Sequence, residues 1–318
     1  MRDGFTYKIT SCISVVIPCY NEADNIAICH ERIDKQLSAT GKSYECIFVD
    51  DGSTDKTLTE IKKLCTQNRN VRYISFSRNF GHQKALRAGL DMAQGEAVIT
   101  MDADLQHPAS LLPEMLSRWN EGYEVVNTRR TDATETNVFK RSTSALFYRL
   151  LNFLTDMEIH PGTADFRLTD RKVTNLLCKC RENDLFLRGM VGWCGFRQTT
   201  IRYQAANRHA GKTKYSLRRM IELALDGITS FTIRPLRLAI LLSMIFILLS
   251  MAETSYVCYV AFFTGQSVSG WASLAILISV LGAITLLMLG IIGEYVGRTF
   301  IQGKQRPLYV VRETNILS

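Results

Sequence analysis

The segment ITMDADLQHP, Ile99–Pro108, carries the clearest signal for the fold of this chain. Its apolar run ends abruptly in two aspartates, Asp102 and Asp104, which are followed by Gln106. A short, continuously apolar run that ends in polar residues is typical of a strand buried in a parallel sheet. In open α/β sheets, ligands bind at the carboxyl ends of such strands. The segment therefore predicts an α/β domain with a functional site where this strand ends.

The sequence before Arg129 repeats the same alternation of β-rich runs and amphipathic segments. We predict strands at Cys12–Pro18, Tyr44–Asp51, Val71–Phe76, Glu96–Asp102 and Tyr123–Thr128. We predict helices at Asp24–Leu37, Thr54–Gln67, Gln83–Ala93 and Ser110–Asn120. This spacing indicates a mainly parallel sheet. One edge of that sheet would then collect the side chains of Tyr20, Asp50, Asp51, Asp102 and Asp104.

The pattern loosens after Thr128. Polar, turn-rich composition predicts a mobile loop at Arg129–Asn137, and a helix follows at Lys140–Thr155. We also predict a loop at Gly162–Arg171 that leads into another helix, and a basic, glycine-containing loop at Asn207–Ser216. Apolar residues from Leu217 to Phe231 then recur at helical spacing. We expect an amphipathic helix at 216–235 that lies in the membrane interface, with an ordinary core-facing helix as the alternative.

Two long apolar segments follow, Leu238–Phe263 with a single charge at Glu253 and Trp271–Ile292 with none. As helices they would be roughly 39 and 33 Å long, enough to cross a ~30 Å hydrocarbon core. We predict a transmembrane hairpin at 236–297, with a buried hairpin of a soluble protein as the alternative. Glu253 would reach the outer interface or face the helix bundle as a functional carboxylate.

The distribution of basic residues predicts the orientation of this hairpin. Arginines precede the first segment, Lys304 and two arginines follow the second, and the connecting Thr264–Gly270 has neither Lys nor Arg. Both ends should therefore be cytoplasmic. The N-terminus has no apolar core like that of a secretory signal. We expect a multi-pass protein of the cytoplasmic (inner) membrane, with a cytosolic domain at 1–215 and a cytosolic tail at 298–318.

Charge and cysteine content exclude some classes of protein. The net charge of +8 suits anionic lipids or phosphorylated substrates. Without a zinc-finger spacing or an RNP-like motif, we predict no nucleic-acid partner. The nine cysteines form no CxxC pair, which argues against a zinc site and favours reduced, buried thiols.

The residues at the predicted sheet edge suit a metal and a nucleotide. On an extended chain Asp102, Asp104 and Gln106 would share one side, and their oxygens are ligands for Mg²⁺ or Mn²⁺. A solvated acidic turn is the alternative.

Neither GxxxxGK(S/T) nor GxGxxG follows the first strand, so a nucleotide must be held differently. Tyr20 could stack on a base, and the Asp50–Asp55 segment could bind it or only form a turn and helix cap.

The chain resembles the inverting family-2 glycosyltransferases, which have the GT-A fold. The resemblance lies in six motifs, which occur in this order: VVIPCYNE, VDDGSTD, SRNFGHQKALRAGL, DADLQ, ADFRL and GKTKYS. With the apolar hairpin, the chain is similar to the polyprenyl-phosphate glycosyltransferases, which include bactoprenol glucosyltransferases and dolichol-phosphate mannose synthases. The resemblance implies transfer of a hexose, first of all glucose, from a UDP-sugar to polyprenyl phosphate for modification of cell-envelope glycans such as lipopolysaccharide. It also implies a homo-oligomer, with a tetramer as one possibility.

The resemblance further implies roles for matching positions. The UDP-sugar would be held by Pro18, Tyr20, Glu22, Asp50, Asp102 and Asp104. The metal and diphosphate would meet Asp102, Asp104 and Gln106. Arg129 and the loop after it would lie near the acceptor, and the phosphates of the acceptor or of the diphosphate would meet Arg141, Arg208 and Lys214. Asp165 and Arg167 would line the sugar side, where Asp165 is a candidate orienter or base.

Two departures from the family pattern place histidines near this predicted site. His82-Gln83 stands where relatives often have Lys-Glu, and His107 stands where they often have Asp. Each histidine could instead be a surface or packing residue. The donor therefore stays open among glucose, galactose, N-acetylglucosamine, mannose and an aminoarabinose derivative. Two other functions compete with this one. The chain could be a processive polysaccharide synthase, although the QxxRW motif of those enzymes is absent, or a non-catalytic scaffold or flippase component.

Overall fold

The computed structural model describes residues 12–131, 163–180, 182, 187–204, 234–264 and 270–316. The chain separates into two compact units, residues 1–216 with 307–318, and residues 217–306. The domain limits at 215/216, 235/236 and 297/298 stay a prediction. The helix at 140–155 and the loop at 207–216 lie outside the described residues, as does nearly all of the helix at 216–235.

The first unit is built on an eight-stranded sheet with helices between the strands. The strands are β1 Ile13–Cys19, β2 Tyr44–Asp50, β3 Val71–Phe76, β4 Ala97–Thr100, β5 Val125–Arg130, β6 Thr163–Asp170, β7 Gln198–Tyr203 and β8 Val311–Thr314. The helices of this unit are α1 Ile26–Ser38, α2 Thr57–Gln67, α3 His82–Met92, α4 Leu112–Asn120, α5 Arg171–Lys179 and α6 Leu187–Trp193, and a 3₁₀ turn, Ala109–Leu111, precedes α4.

The strand order is β7-β5-β6-β4-β1-β2-β3-β8, and β6 and β8 run antiparallel to the other strands of this sheet. The predicted α/β fold with a mainly parallel sheet is thereby confirmed. β1 and β2 are buried along their whole length because helices cover both faces of a parallel sheet. The carboxyl ends of β1, β2 and β4 lie side by side and present the loops of the predicted site.

The segment Gly162–Arg171, predicted as a loop, contains β6, so that prediction is wrong. A strand can hold these charged residues because they are paired: Asp165 and Arg167 are buried and pair with each other, and Asp165 also pairs with Arg188. β5 also continues to Arg130, into the segment predicted as a loop. The C-terminal β8 had no sequence signal of its own, because it is four residues long and pairs with the edge of β3.

The second unit contains α7 Arg234–Tyr259, a π-helical turn Val260–Thr264 and α8 Trp271–Gly303. Within the described residues, one segment, Val280–Gly303 of α8, is long and apolar enough to cross a membrane, and a shorter apolar stretch lies at Met244–Tyr256. The predicted second crossing is therefore not confirmed.

Candidate active site

The DADLQ segment forms a turn at the end of β4. Leu105 has a φ of +62°, in the left-handed region, and the Asp104 Oδ1 accepts from the backbone N–H of Gln106 at 3.1 Å. The assumption of an extended chain is thus wrong here. The turn, and not strand alternation, sets where the oxygens of Asp102, Asp104 and Gln106 lie.

Two histidines hold Asp102. The His82 Nε2 is 2.8 Å from Asp102 Oδ1, and the His107 Nε2 is 3.8 Å from Asp102 Oδ2. The backbone N–H of Asp102 donates to His107 Nδ1 at 3.1 Å, so the proton of neutral His107 lies on Nε2. His107 is buried and stacks on Phe166, with ring centroids 5.0 Å apart. His107 therefore both packs in the core and orients the Asp102 turn.

The charges of this site shift the titration of Asp102 and His82. Partial removal from water would raise the pKa of Asp102, but the hydrogen bond and charge of His82, with a smaller effect of His107, lower it below its usual value. Burial alone would lower the pKa of His82, but the hydrogen bond and charge of Asp102, together with Asp165, raise it. Asp102 is therefore kept ionised, as a ligand for a cation must be.

Asp165 lies on β6 inside a cluster of donors. Arg188 donates from Nε to Asp165 Oδ1 and from Nη2 to Oδ2, both at 2.8 Å. The Arg167 Nη2 is 3.6 Å from Oδ1, the Gln83 Nε2 donates to Oδ2 at 3.2 Å, and the His82 Nδ1 is 3.8 Å from Oδ2. His82 therefore lies between the two carboxylates, Asp165 and Asp102.

The surroundings of Asp165 favour the orienting role over that of a base. Burial alone would raise its pKa, but the charge and hydrogen bonds of Arg188, with the charges of Arg167 and His82, hold that pKa far below its usual range. A carboxylate with so low a pKa is a poor proton acceptor.

The loops after β1 and β2 are joined by hydrogen bonds. The backbone N–H of Asn21 donates to Ser53 Oγ at 3.0 Å, and that of Thr54 donates to Asn21 Oδ1 at 2.9 Å. Gly52 has a φ of +67°, and a Cβ there would lie 2.3 Å from the backbone carbon of Arg78. The loops after three strands thus meet, and only glycine fits at their contact.

The predicted nucleotide-binding residues line these loops. Tyr20 is 43% exposed, as a stacking platform must be, whereas Pro18 is buried in β1. Asp50 is buried and accepts from the backbone N–H of Ser53 and from Ser75 Oγ. Glu22 is half-buried, and its Oε2 accepts from Asn25 Nδ2 at 2.5 Å. Asp50 and Glu22 thus take part in the turns that shape this edge.

The adjacent Asp51 fixes the loop after β3. It is buried and accepts from the backbone N–H groups of Phe80 and Gly81, at 2.6 and 2.9 Å. Burial raises the pKa of Asp51 although both hydrogen bonds act to lower it. These bonds set the start of α3, which carries His82 and Gln83 into the site.

Among the predicted acceptor residues, Arg129 is described and lies half-buried in β5, opposite Arg202 of β7. Its neighbour Arg130 contacts the DADLQ turn instead, since Arg130 Nη1 donates to Gln106 Oε1 at 3.2 Å. Arg141, Arg208 and Lys214 lie outside the described residues.

The donor chemistry of the turn fits a hard divalent cation, because Asp102, Asp104 and Gln106 offer carboxylate and amide oxygens. Among the described residues, no group of three or more His, Cys, Asp and Glu side chains is arranged to hold a metal ion. A cation here would therefore take further oxygens from a bound diphosphate or water, as Mg²⁺ usually does.

The sequence reasoning missed two site residues, Gln83 and Arg188, and it named Arg130 only as part of the loop Arg129–Asn137 near the acceptor. Gln83 stood out only as a departure from the family pattern. Arg188 had one usable signal, a single charge within the apolar LFLRGMVGW. Such a charge in a buried segment needs a partner, but its sequence does not say which.

Known proteins share this fold and its motifs. The profile of Glycosyl transferase family 2 matches residues 14–177. The "Uncharacterized glycosyltransferase YkcC" of Bacillus subtilis is 44% identical over 95% of this chain and 93% of its own length. The "Prophage bactoprenol glucosyl transferase homolog" of Escherichia coli is 35% identical over 94% of this chain and 98% of its own length.

Among solved structures, the crystal structure of S. aureus TarS residues 1–349 in complex with UDP-GlcNAc is similar, with 18% sequence identity and a TM-score of 0.49. The match covers 69% of this chain and 65% of the TarS chain. The family profile and the two sequence relatives are decisive. The chain belongs to glycosyl transferase family 2, and its mainly parallel α/β domain is GT-A-like.

Proposed function

We propose that this protein transfers a hexose, first of all glucose, from a UDP-sugar to polyprenyl phosphate with inversion at C1. Relatives named as bactoprenol glucosyl transferases are 33–35% identical over at least 94% of this chain. The observation that carries the proposal is the one-third exposed Asp102 at the end of β4, whose Oδ1 lies 2.8 Å from His82 Nε2. It lies beside Asp104 and Gln106, at the sheet edge where α/β proteins bind ligands.

The acceptor needs little activation. A phosphate monoester has a second pKa of about 6 and is largely a dianion at pH 7. The main obstacle is to bring this dianion to C1 of an anionic donor, with the diphosphate on the opposite side. Basic side chains reduce that repulsion and fix the geometry, and Arg130 beside Gln106 is placed for this work.

The metal would bind at the DADLQ turn. Asp102, Asp104 and Gln106 would hold Mg²⁺ or Mn²⁺, and the cation would neutralise charge on the departing UDP. Tyr20 would stack on the uracil, while Glu22 and Asp50 would shape its binding loops. We also propose that the acceptor phosphate contacts Arg129, Arg141, Arg208 and Lys214.

We propose membrane attachment through the apolar helices. α8 supplies a crossing segment, and a second crossing by α7 would place both ends of the hairpin in the cytosol. An interfacial helix at 216–235 would hold the transferase domain at the surface where the lipid phosphate lies. A homo-oligomer stays a prediction from the family resemblance.

The test is transfer of labelled sugar from a panel of UDP- and GDP-sugars to short-chain polyprenyl phosphate by detergent-purified protein. We expect label in the organic phase from UDP-glucose with Mg²⁺ or Mn²⁺, and its loss with EDTA or in Asp104→Ala. Lipid label from another donor would correct the sugar. UDP binding without lipid label from any donor would overturn the reaction and favour a scaffold role.

A further inference from the structure

The strand β8 belongs to the transferase domain although it follows α8 in the chain. It pairs antiparallel with β3, and the backbone N–H of Ser77, the residue after β3, donates to the carbonyl of Val310 at 3.0 Å. The Lys62 Nζ of α2 is 2.7 Å from the carboxylate of Glu313 on β8. Backbone and side-chain contacts therefore hold β8 on the edge of the sheet.

The ring of Tyr309, two residues before β8, packs against the segment that leads into α3. It stacks on the buried Phe76 with ring centroids 5.1 Å apart, and Phe76 packs edge-on against Phe80 at 5.6 Å. Asp51 binds the backbone N–H groups of Phe80 and Gly81 in the same segment. Tyr309, through the aromatic rings, and Asp51, through the backbone, thus both hold the chain directly before α3.

The hydroxyl of Tyr309 binds the other end of α3. It donates to Oδ2 of Asp91, the second-last residue of that helix, at 2.9 Å. The Asp91 Oδ1 accepts from Nε of the buried Arg87 at 2.8 Å, and Arg87 Nη1 donates to the carbonyl of Leu177 on α5 at 3.0 Å. One side chain therefore supports the approach to α3 and the last turn of the same helix.

The position of α3 matters for the site because His82 is its first residue. The His82 Nε2 is 2.8 Å from Asp102 Oδ1, and its Nδ1 is 3.8 Å from Asp165 Oδ2. A shift of α3 would carry the imidazole away from both carboxylates. Misplacement of a group by about 1 Å can lower the rate of a reaction by about 10²-fold.

We propose that Tyr309 is a positioning residue of the transfer site, which holds α3 so that His82 orients Asp102. The inference rests on the proposed function. Tyr309 acts through α3 and takes no part in the chemistry. A residue that follows α8 in the chain thereby helps to set the geometry at the end of β4.

A double-mutant cycle in the full-length, detergent-purified protein tests this assignment. The variants are Tyr309→Leu, His82→Ala and the double variant, assayed for the kcat of sugar transfer to polyprenyl phosphate. We expect Tyr309→Leu to lose about 10²-fold in kcat. The double variant should lose no more than the worse single one, because both changes remove the same positioned imidazole.

Two matched variants and a binding measurement separate positioning from structural damage. Tyr309→Phe keeps the stacking on Phe76 and loses the bond to Asp91, so kcat should fall by only about 5-fold. Glu313→Gln removes the ion pair between β8 and α2 and should keep full activity. UDP bound per chain should stay at the wild-type value in each variant, since a misfolded fraction would lower it.

Multiplicative losses in the cycle would overturn the proposal, because they would mean that Tyr309 and His82 act independently. A Tyr309→Leu variant that keeps more than about a third of the wild-type kcat would also overturn it. If Tyr309→Leu does not fold, Tyr309→Phe replaces it in the cycle. No loss in that variant, or a loss that persists in the His82→Ala background, would refute the assignment.

Wild-type protein is assayed first in the same experiment. Its failure to label lipid would refute the proposed function, whereas an active wild type with multiplicative losses in the cycle refutes only this inference.

Discussion

Two carboxylates of the site, at the end of β4 and on β6, have opposite surroundings. Asp102 has a side chain that is 33% exposed and contacts histidines. Asp165 is 5% exposed and contacts two arginines. A histidine can give up its proton and release its partner, but an arginine in a protein stays charged. Asp102 can therefore release a histidine and bind a cation instead, whereas Asp165 keeps its ion pairs with the arginines.

The difference shows that the role of a carboxylate depends on the side chains that it contacts. The motifs DADLQ and ADFRL both place an aspartate at the site, and the sequence alone allowed catalysis for each. Distances to side chains elsewhere in the chain separate a ligand-binding carboxylate from a positioning one.

The largest effect is expected from removing the carboxylate of Asp102, which we propose as a cation ligand. Asp102→Asn keeps the shape of the side chain but loses the charge that holds a cation, and we expect sugar transfer to fall by about 10³-fold. The measurement is steady-state transfer at saturating Mg²⁺ or Mn²⁺. If Asp102→Asn keeps more than a tenth of the wild-type activity, Asp102 does not hold the cation, and the proposed difference in role between Asp102 and Asp165 is wrong.

A smaller effect should follow from loosening the Asp102 turn. His107→Phe preserves stacking on Phe166 but leaves the backbone N–H of Asp102 without its acceptor. We expect a loss of about 2 kcal/mol in the free energy of unfolding. The check is thermal unfolding in detergent, with His107→Asn as the matched variant that keeps an acceptor. Equal stability of His107→Phe and wild type would show that His107 does not support the turn.

The third prediction separates the two neighbouring arginines of β5. Arg130→Ala removes the contact with Gln106 and should lower kcat/KM by about 10-fold, the value of one charge-assisted hydrogen bond. Arg129→Ala should lower it less, since Arg129 is half-buried beside β7. The reverse order would place Arg129, and not Arg130, at the turn.

The smallest effect is expected at an ion pair far from either carboxylate. Lys172 and Glu124 are 2.8 Å apart, but the Lys172 side chain is 62% exposed. We expect Lys172→Ala to leave both the unfolding temperature and sugar transfer unchanged, because an exposed ion pair is screened by solvent. A fall in the unfolding temperature as large as that of His107→Phe would mean that an exposed ion pair supports the domain as much as the turn of the site does.

Sequence reasoning recovered five of the six parallel strands of the described sheet, with β3 at its observed limits and β1, β2, β4 and β5 shifted by a few residues at most, and it missed β7. It succeeded there because buried parallel strands are continuous apolar runs. It failed at β6 because buried charges in a strand are indistinguishable from loop charges until their partners are known. The partner of Asp165 lies 23 residues away, on a helix the sequence did not predict.

The site was predictable in its location and less so in its contacts. The rule for the carboxyl ends of strands located Asp102, Asp104 and the loops after β1 and β2. It could not foresee that DADLQ turns at Leu105, since a positive φ at leucine is rare. Nor could it foresee that His82 links Asp102 to Asp165, because that link depends on where α3 begins.

The most direct test of the contrast is the Mn²⁺ bound per chain at saturating UDP, measured for wild type, Asp102→Asn and Asp165→Asn from the spin-resonance signal of free Mn²⁺. We predict that Asp102→Asn loses Mn²⁺ binding while Asp165→Asn retains it at the wild-type stoichiometry. Loss of Mn²⁺ by Asp165→Asn with retention by Asp102→Asn would contradict the account.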